Sequence, residues 1–332
     1  MKNKIEYIVI AGSSGGHILP AIKFINNLSK VKNPNNILFI TNKIGENFIN
    51  KISSKEIKNI QIGSSNKISY IMKIITFLLP ILFINKKVIC LGFGGFITSP
   101  VLYLSKIFSL FLFKKNKIYI HEQNIVFGLA NKFNYFIADR VFTSFPPKKP
   151  KDKEIFVGNY FNEFTSNLVD NKTTAIQVLL LGGSAGSLEL NKILIKELNK
   201  LNSNNLKNIQ LSVQIPRSHF EEYKSKYLSI NNNINFFSYN DNLRFEEYDL
   251  IISRSGSGSL NDILYKTGNV YFIPHLHSRD RHQELNLNFF KNYNMSLLEL
   301  KIPSQKTIPD TFYFNNLINP FSIDKMVCYL TR

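Results

Sequence analysis

The chain has 332 residues, room for about two domains at roughly 150 residues each, and a hydrophobic content of 44% excludes a disordered tail or a fibrous repeat. Its net charge of +18 is uneven: residues 1–158 hold 23 basic and 7 acidic side chains, whereas residues 159–332 hold 18 and 16. The two cysteines, Cys90 and Cys328, lie far apart, which excludes a disulfide framework or a zinc spacing and points to a reducing cytoplasm.

Abundant Lys, Asn and Ile throughout account for much of the total charge but poorly for its asymmetry. A basic first half suits an anionic partner: nucleic acid, an anionic membrane face or a phosphorylated substrate. Along the chain, short β-branched runs alternate with longer amphipathic segments. The first, residues 5–11, runs straight into a glycine loop, so it reads as a strand and not as a signal peptide. Further strands are expected over 36–41, 87–92, 117–121, 140–144 and 155–158. The pattern then restarts, with strands over 175–183, 209–215, 234–238, 249–256 and 269–274, and a last helix after Pro320. Strands alternating with helices predict α/β architecture with parallel sheets, in two Rossmann-like domains joined near 158–172.

Two greasy stretches interrupt the first half. Residues 68–84 are apolar apart from Ser69, Tyr70, Lys73 and Thr76, with Lys67, Lys86 and Lys87 at the flanks. A spanning helix wants about 20 apolar residues, and this run is shorter, holds Lys73 and is broken by Pro80. A buried core helix and an interfacial patch rimmed by lysines are the two main readings, with a membrane span behind them. Residues 101–117 have the same character, and the pair favours contact with a membrane surface without crossing it.

Six polar or glycine-rich segments fall at the ends of expected strands, where open α/β sheets bind ligands. The first is Gly12-Ser13-Ser14-Gly15-Gly16-His17 ahead of a helix. Its spacing is wrong for a dinucleotide fingerprint, and no acid occurs between it and Glu46, so a nicotinamide dehydrogenase is disfavoured. Second comes a loop with Gly94 and Gly95; third, His121-Glu122-Gln123-Asn124 directly after a strand. Two loops of backbone donors in one half-domain suit a pyrophosphate. In the second half, Gly182, Gly183, Ser184 and Gly186 precede a helix, a good anion site. Then follow Ser253 to Asp262, whose Asp262 is suited to a ribose diol, and His277 to Asn286. Any one of these is explicable as turn chemistry; six in register are not.

Taken in order, G-S-S-G-G-H, G-F-G-G-F-I-T-S-P, H-E-Q-N with G-L-A-N-K, G-G-S-A-G-S, R-S-G-S-G-S-L-N-D and H-Q-E-L-N resemble the MurG family of N-acetylglucosaminyltransferases over about residues 5–290. The resemblance implies a GT-B fold, two Rossmann-like domains with parallel sheets facing across a cleft. Residues 1–158 would form an acceptor- and membrane-binding domain and 159–318 a UDP-GlcNAc-binding domain. Residues 319–332 would form a C-terminal helix packing back toward the first domain. The implied reaction moves N-acetylglucosamine from UDP-GlcNAc to the muramyl 4-hydroxyl of lipid I, giving lipid II for peptidoglycan synthesis, cell shape and division. It further implies peripheral binding at the cytoplasmic face of the cell membrane, an anionic lipid surface as partner, a place among other cell-wall and division proteins, no nucleic acid and no cofactor.

Carried over by position, Ser14, Gly15, Gly16, Gly94, Gly95 and Asn124 would face the sugar and acceptor, and Ser184 the donor diphosphate. Ser257, Gly258, Ser259, Leu260, Asn261 and Asp262 would contact phosphate and ribose. Gln283 with His282 would hold the sugar hydroxyls, and the segment near Asn240 the uracil edge. His17 is expected as the general base, with Glu122 as runner-up and a helix-entry hydrogen bond as the bland alternative for His17. No D-x-D pair occurs, so no metal site is expected, and attack opposite the leaving group would invert the anomeric centre.

The sequence also departs from the family pattern. Asn162 stands where the family has a donor-binding arginine, leaving Arg217 or Arg254 as substitutes; Asp262 replaces a glutamate; and the C-terminus is short. Two rivals stay open: another UDP-sugar enzyme of this fold with a lipid acceptor, and a basic lipid- or RNA-binding protein that has lost transfer activity.

Overall fold

The computed structural model describes residues 4–12, 14–62, 67–85, 87–147, 149, 151–158, 175–201, 203–240, 243–264, 270–275, 278, 281–289 and 322–331. They fall into two compact units, Met1–Tyr160 with Leu317–Arg332, and Phe161–Asn316.

In the first unit the chain runs β1 (Tyr7–Ile10), α1 (Gly15–Val31), β2 (Ile37–Thr41), α2 (Lys43–Glu46), β3 (Lys58–Gln61) and α3 (Lys67–Ile84). It continues through β4 (Ile89–Gly92), α4 (Thr98–Phe111), β5 (Lys117–Glu122), α5 (Leu129–Ile137), β6 (Arg140–Thr143) and β7 (Glu154–Phe156). The seven strands pair in the order β3-β2-β1-β4-β5-β6-β7, all parallel. Parallel neighbours need a crossover, so the central strands are covered by helices and are apolar through their middles. Ile8, Ile10, Leu38, Ile40, Cys90, Ile118 and Ile120 form that core, closed by Ile74, Leu78 and Leu82 of α3 and by Val101 and Leu102 of α4.

The second unit runs β8 (Ile176–Leu181), α6 (Leu188–Leu198), α7 (Ser203–Lys207), β9 (Ile209–Gln214), α8 (Phe220–Leu228) and β10 (Ile234–Phe237). β11 (Leu250–Ser253), α9 (Ser257–Leu264), β12 (Val270–Phe272) and α10 (His282–Asn288) follow. Its five strands are also parallel, in the order β10-β9-β8-β11-β12. Val178, Leu180, Leu211, Val213 and Ile252 pack under Leu190, Leu194, Leu198, Tyr223 and Tyr227. The last helix, α11 (Ser322–Thr331), belongs to the first unit and packs against α1.

All eleven strands expected from the sequence form within a few residues of their expected ends. β3 was not among them: K-N-I-Q lies at the sheet edge with three of its four residues exposed, so it carries no apolar run. Residues 68–84 lie within one helix, α3, which is part core and part surface. Ile74, Leu78 and Leu82, four residues apart, are buried, while Met72, Phe77, Phe83 and Ile84 are exposed. No described helix is long and apolar enough to cross a membrane.

The neighbouring helices continue this apolar face. α3 packs on α4 and α4 on α5, and Ile107, Leu110, Phe111, Phe113, Leu129, Phe133 and Phe136 are all exposed. Lys114 closes the end of α3 by donating to the carbonyls of Leu82 and, at 2.7 Å, Phe83.

Leu211 is fully buried between the sheet and helices of the second unit. Leu211→Ala should lower stability by about 2–5 kcal/mol, read as an earlier urea midpoint.

Candidate functional site

Strand order reverses direction at β1/β4 in the first sheet and at β8/β11 in the second. Each reversal opens a crevice beyond the carboxyl ends of the two strands, and the glycine-rich loops follow those four strands.

In the first unit the loops after β1 and β4 are tied together. The Gly12 amide donates to the Gly94 carbonyl at 3.2 Å, and Thr98 Oγ1 donates to the same carbonyl at 2.8 Å. Gly94 and Gly95 have φ of 106° and 92°, a region that side chains with a Cβ rarely adopt. Space makes a second demand at Gly94, because an added Cβ would lie 2.7 Å from His17 Nδ1. The half-buried imidazole of His17 therefore lies directly against this backbone, on the first turn of α1. Ser14 precedes that helix in extended conformation, and its carbonyl accepts the amides of His17 and Ile18, both at 3.1 Å.

β5 delivers the H-E-Q-N segment to the same edge. Glu122 is buried, and both carboxylate oxygens are engaged: Oε1 accepts from Asn124 N (2.9 Å) and Asn124 Nδ2 (3.1 Å), Oε2 from Gly128 N (3.0 Å) and Asn131 Nδ2 (2.9 Å). Its carboxylate organises the loop between β5 and α5. Gln123, also buried, donates from Nε2 to the Phe93 carbonyl at 2.6 Å, and its Oε1 lies 3.1 Å from His17 Nδ1. His121 is buried beside Phe93, ring centroids 5.1 Å apart, with Nε2 3.2 Å from Ser144 Oγ. Burial, with His17 close by, pushes its pKa down to about 3, so the ring is neutral at working pH. Cys90 is no nucleophile, since burial pushes its thiol up to about 12.

In the second unit the loop after β8 turns at Gly183 (φ 83°) and Gly186 (φ 77°). Gly182 has no room for a side chain, since an added Cβ would meet the Ser187 nitrogen at 2.2 Å. Ser187 caps α6 through Leu190 N. Gln214, at the end of β9, braces the loop from below: Oε1 accepts the Gly182 amide (2.7 Å), and Nε2 donates to the carbonyls of Gly183 (2.8 Å) and Ser238 (3.1 Å). Beyond β11, Gly256 and Gly258 face open space at the start of α9. Ser255 Oγ donates to the Gln283 carbonyl at 2.9 Å, and Gln283 Oε1 accepts the His275 amide at 2.8 Å, so the loops after β11 and β12 are joined to α10.

Ser14, Gly15, Gly16, His17, Gly94, Gly95, Glu122 and Asn124 thus all gather at the carboxyl edge of the first sheet. Ser184 is exposed on the turn before α6; Ser257, Gly258 and Ser259 open α9; His282 and Gln283 open α10; Asn240 is exposed after β10. Leu260, expected beside phosphate and ribose, does not face outward with its side chain. It is buried and its amide donates to the Gly256 carbonyl, because an amphipathic helix turns one face to the sheet. Asn162 and the side chains of Asn261 and Asp262 lie outside the described residues. Of the two arginines weighed against Asn162, Arg254 is buried and committed: it bonds Ser187 Oγ, the carbonyls of Ile273 and Pro274, and the Glu189 carboxylate. Arg217 is exposed beyond β9. Among the described residues no group of three or more His, Cys, Asp or Glu could hold a metal ion. Gln123 stands out in the sequence only as a member of the H-E-Q-N segment, with no role of its own, and Gln214 does not stand out at all. For Gln214 the signal in the sequence is no more than a glutamine at the carboxyl end of an apolar strand.

Residues 7–143 match the model of the glycosyltransferase family 28 N-terminal domain, and residues 177–305 that of the family 28 C-terminal domain. Two curated relatives are each named UDP-N-acetylglucosamine–N-acetylmuramyl-(pentapeptide) pyrophosphoryl-undecaprenol N-acetylglucosamine transferase. The one from Flavobacterium psychrophilum is 29% identical, covering 95% of this chain and 89% of its own length. The one from the Wolbachia of Drosophila simulans is 27% identical, with coverages of 89% and 84%. The crystal structure of Acinetobacter baumannii MurG superposes with a TM-score of 0.63 at 19% identity, covering 99% of this chain and 91% of that one. That likeness establishes the fold, the GT-B pairing of two Rossmann-like domains.

Buried His121 has a consequence for stability. From about pH 6.5 down to 3 the unfolded chain binds a proton on this ring that the folded chain refuses, so stability falls as pH falls through that window. The contribution is at most about 1.4 kcal/mol per pH unit. Urea titrations between pH 7 and 4 should show a shallower loss for His121→Asn than for the wild type.

Proposed function

Because the chain belongs to glycosyltransferase family 28 and, within it, to the MurG family, we propose that it transfers N-acetylglucosamine from UDP-GlcNAc to the muramyl 4-hydroxyl of lipid I, producing lipid II. One observation carries the reading: the family's motif residues collect at the two strand reversals, one in each unit, where an α/β sheet binds ligands.

The first unit takes the acceptor. His17 accepts the proton of the attacking hydroxyl on Nε2 while Gly15, Gly16, Gly94, Gly95 and Asn124 shape the surface beside it. The second unit takes the donor. As the C1–O bond to UDP breaks, negative charge grows on the departing diphosphate, and the start of α9 with the Gly183–Gly186 turn offers amides and a helix dipole to it. Asp262 is assigned to the ribose diol and Gln283 to the sugar hydroxyls. Attack from the opposite face gives a β-linkage from the α-donor. Glu122, with four hydrogen bonds on its two oxygens, is assigned to holding the loop and not to proton transfer.

The acceptor's lipid also accounts for the surface of the first unit. The exposed apolar residues of α3, α4 and α5 belong to segments without a single acidic side chain, and the exposed lysines Lys73, Lys87, Lys115, Lys117 and Lys132 lie on or beside them. Apolar contact plus about 1 kcal/mol per lysine near an anionic surface suits peripheral docking on the cytoplasmic leaflet.

Two measurements test this reading. Labelled N-acetylglucosamine should pass from UDP-GlcNAc to a short-chain lipid I analogue with the wild type, and His17→Ala should lower kcat by about 100-fold or more. Donor binding without product would redirect the search to another acceptor. The protein should co-sediment with vesicles containing anionic lipid and much less with zwitterionic ones, and Phe111→Ser/Phe136→Ser should weaken that binding without abolishing transfer to a soluble acceptor.

A further inference from the structure

Gln123 sits between two groups that together dictate which way its amide points. The Phe93 carbonyl can only accept a hydrogen bond, so the amide nitrogen faces it, at 2.6 Å. The amide oxygen is thereby turned to His17 Nδ1, 3.1 Å away, and an amide oxygen can only accept. His17 Nδ1 must carry the hydrogen, and the ring's lone pair is left on Nε2. We propose that Gln123 is the positioning residue of the base, locking His17 in the Nδ1–H tautomer and aiming Nε2 at the acceptor hydroxyl; this rests on the reading of His17 given above.

The arrangement is built. Gln123 is 4% exposed, directly after a central strand, so its side chain has little freedom to turn. Gly94 supports the imidazole from beneath, with no Cβ to push it away. Carboxylates commonly orient a histidine base, but a buried carboxylate here would face the Phe93 carbonyl with nothing to donate to it. The amide serves both partners and brings no charge. When Nε2 takes up the proton, the Nδ1–H bond to Oε1 becomes charge-assisted and strengthens without a change of geometry.

The test joins a spectrum to kinetics. In full-length protein labelled with 15N-histidine, the His17 resonances, assigned by their loss in His17→Ala, should report a protonated Nδ1 and an unprotonated Nε2 above neutral pH. Gln123→Met, similar in length but without either hydrogen bond, should move the population toward the Nε2–H tautomer. It should lower kcat by about 10- to 100-fold, the scale of a misaligned catalytic group, with the donor KM little changed. A wild-type His17 in the Nε2–H form overturns the inference, whether or not the variant folds. So does a folded Gln123→Met whose tautomer and kcat match the wild type. The spectrum needs no substrate, so absence of transfer by the wild type would count against the proposed reaction and leave the tautomer result standing.

Discussion

In a parallel sheet every strand ends on the same edge, so the loops after β1, β4 and β5 are forced to one side of the first sheet. The reversal at β1/β4 then places the Gly12 and Gly94 loops next to each other, with helices departing to opposite faces and a crevice between. His17, at the start of α1, and Gln123, at the end of β5, are 106 residues apart in sequence and 3.1 Å apart in space only because of that order. The second unit repeats the arrangement with β8 and β11. Its reversal sets Ser187 beside Arg254, which follows β11, 67 residues later.

An open crevice creates a mechanical problem, because loops that present amides to a ligand cannot also be packed on that side. Both units meet it with a buried glutamine below the loop. Gln214 accepts from Gly182 and donates to Gly183 and Ser238; Gln123 donates to Phe93 and faces His17 with its oxygen. A neutral amide is suited to this position for two reasons. It carries donors and an acceptor on one rigid plane, and it can be buried without the desolvation cost of a charge. Glu122, by contrast, is a buried charge, tolerated because four N–H groups converge on it.

Much of this was legible in the sequence because it is written locally. Runs such as Y-I-V-I and I-C-L-G declare central parallel strands, and a glycine cluster after each declares a loop that must come close to something. β3 was not legible, since an edge strand needs no apolar face and K-N-I-Q has none. The two glutamines were not legible as braces, because their partners lie 24 residues or more away and no spacing announces a two-ended hydrogen bond. Leu260 teaches the converse lesson. It stands inside a motif, yet the helix turns it into the core, so membership of a motif does not establish contact with a ligand.

Arg254 shows how the second unit handles negative charge. Its five N–H groups are all spent, two on Ser187, two on the carbonyls of Ile273 and Pro274 and one on Glu189. Drawing it out toward a ligand would strand the buried carbonyls and unpair Glu189, so it stiffens the loops and is a poor substitute for a mobile cationic clamp. An anion at the β8/β11 reversal would therefore meet backbone amides at Gly183–Gly186 and helix N-termini equivalent to about half a positive charge each, acting only over the first turn. The first unit works at the other range. Residues 1–158 hold 23 basic against 7 acidic side chains, a field that reaches about a Debye length of roughly 8 Å into solution and draws anionic surfaces without selecting among them. Net charge acting at a distance and oriented peptide groups acting at contact are different means of meeting an anion, so the near-neutral charge of the second half does not argue against an anion site at its strand reversal.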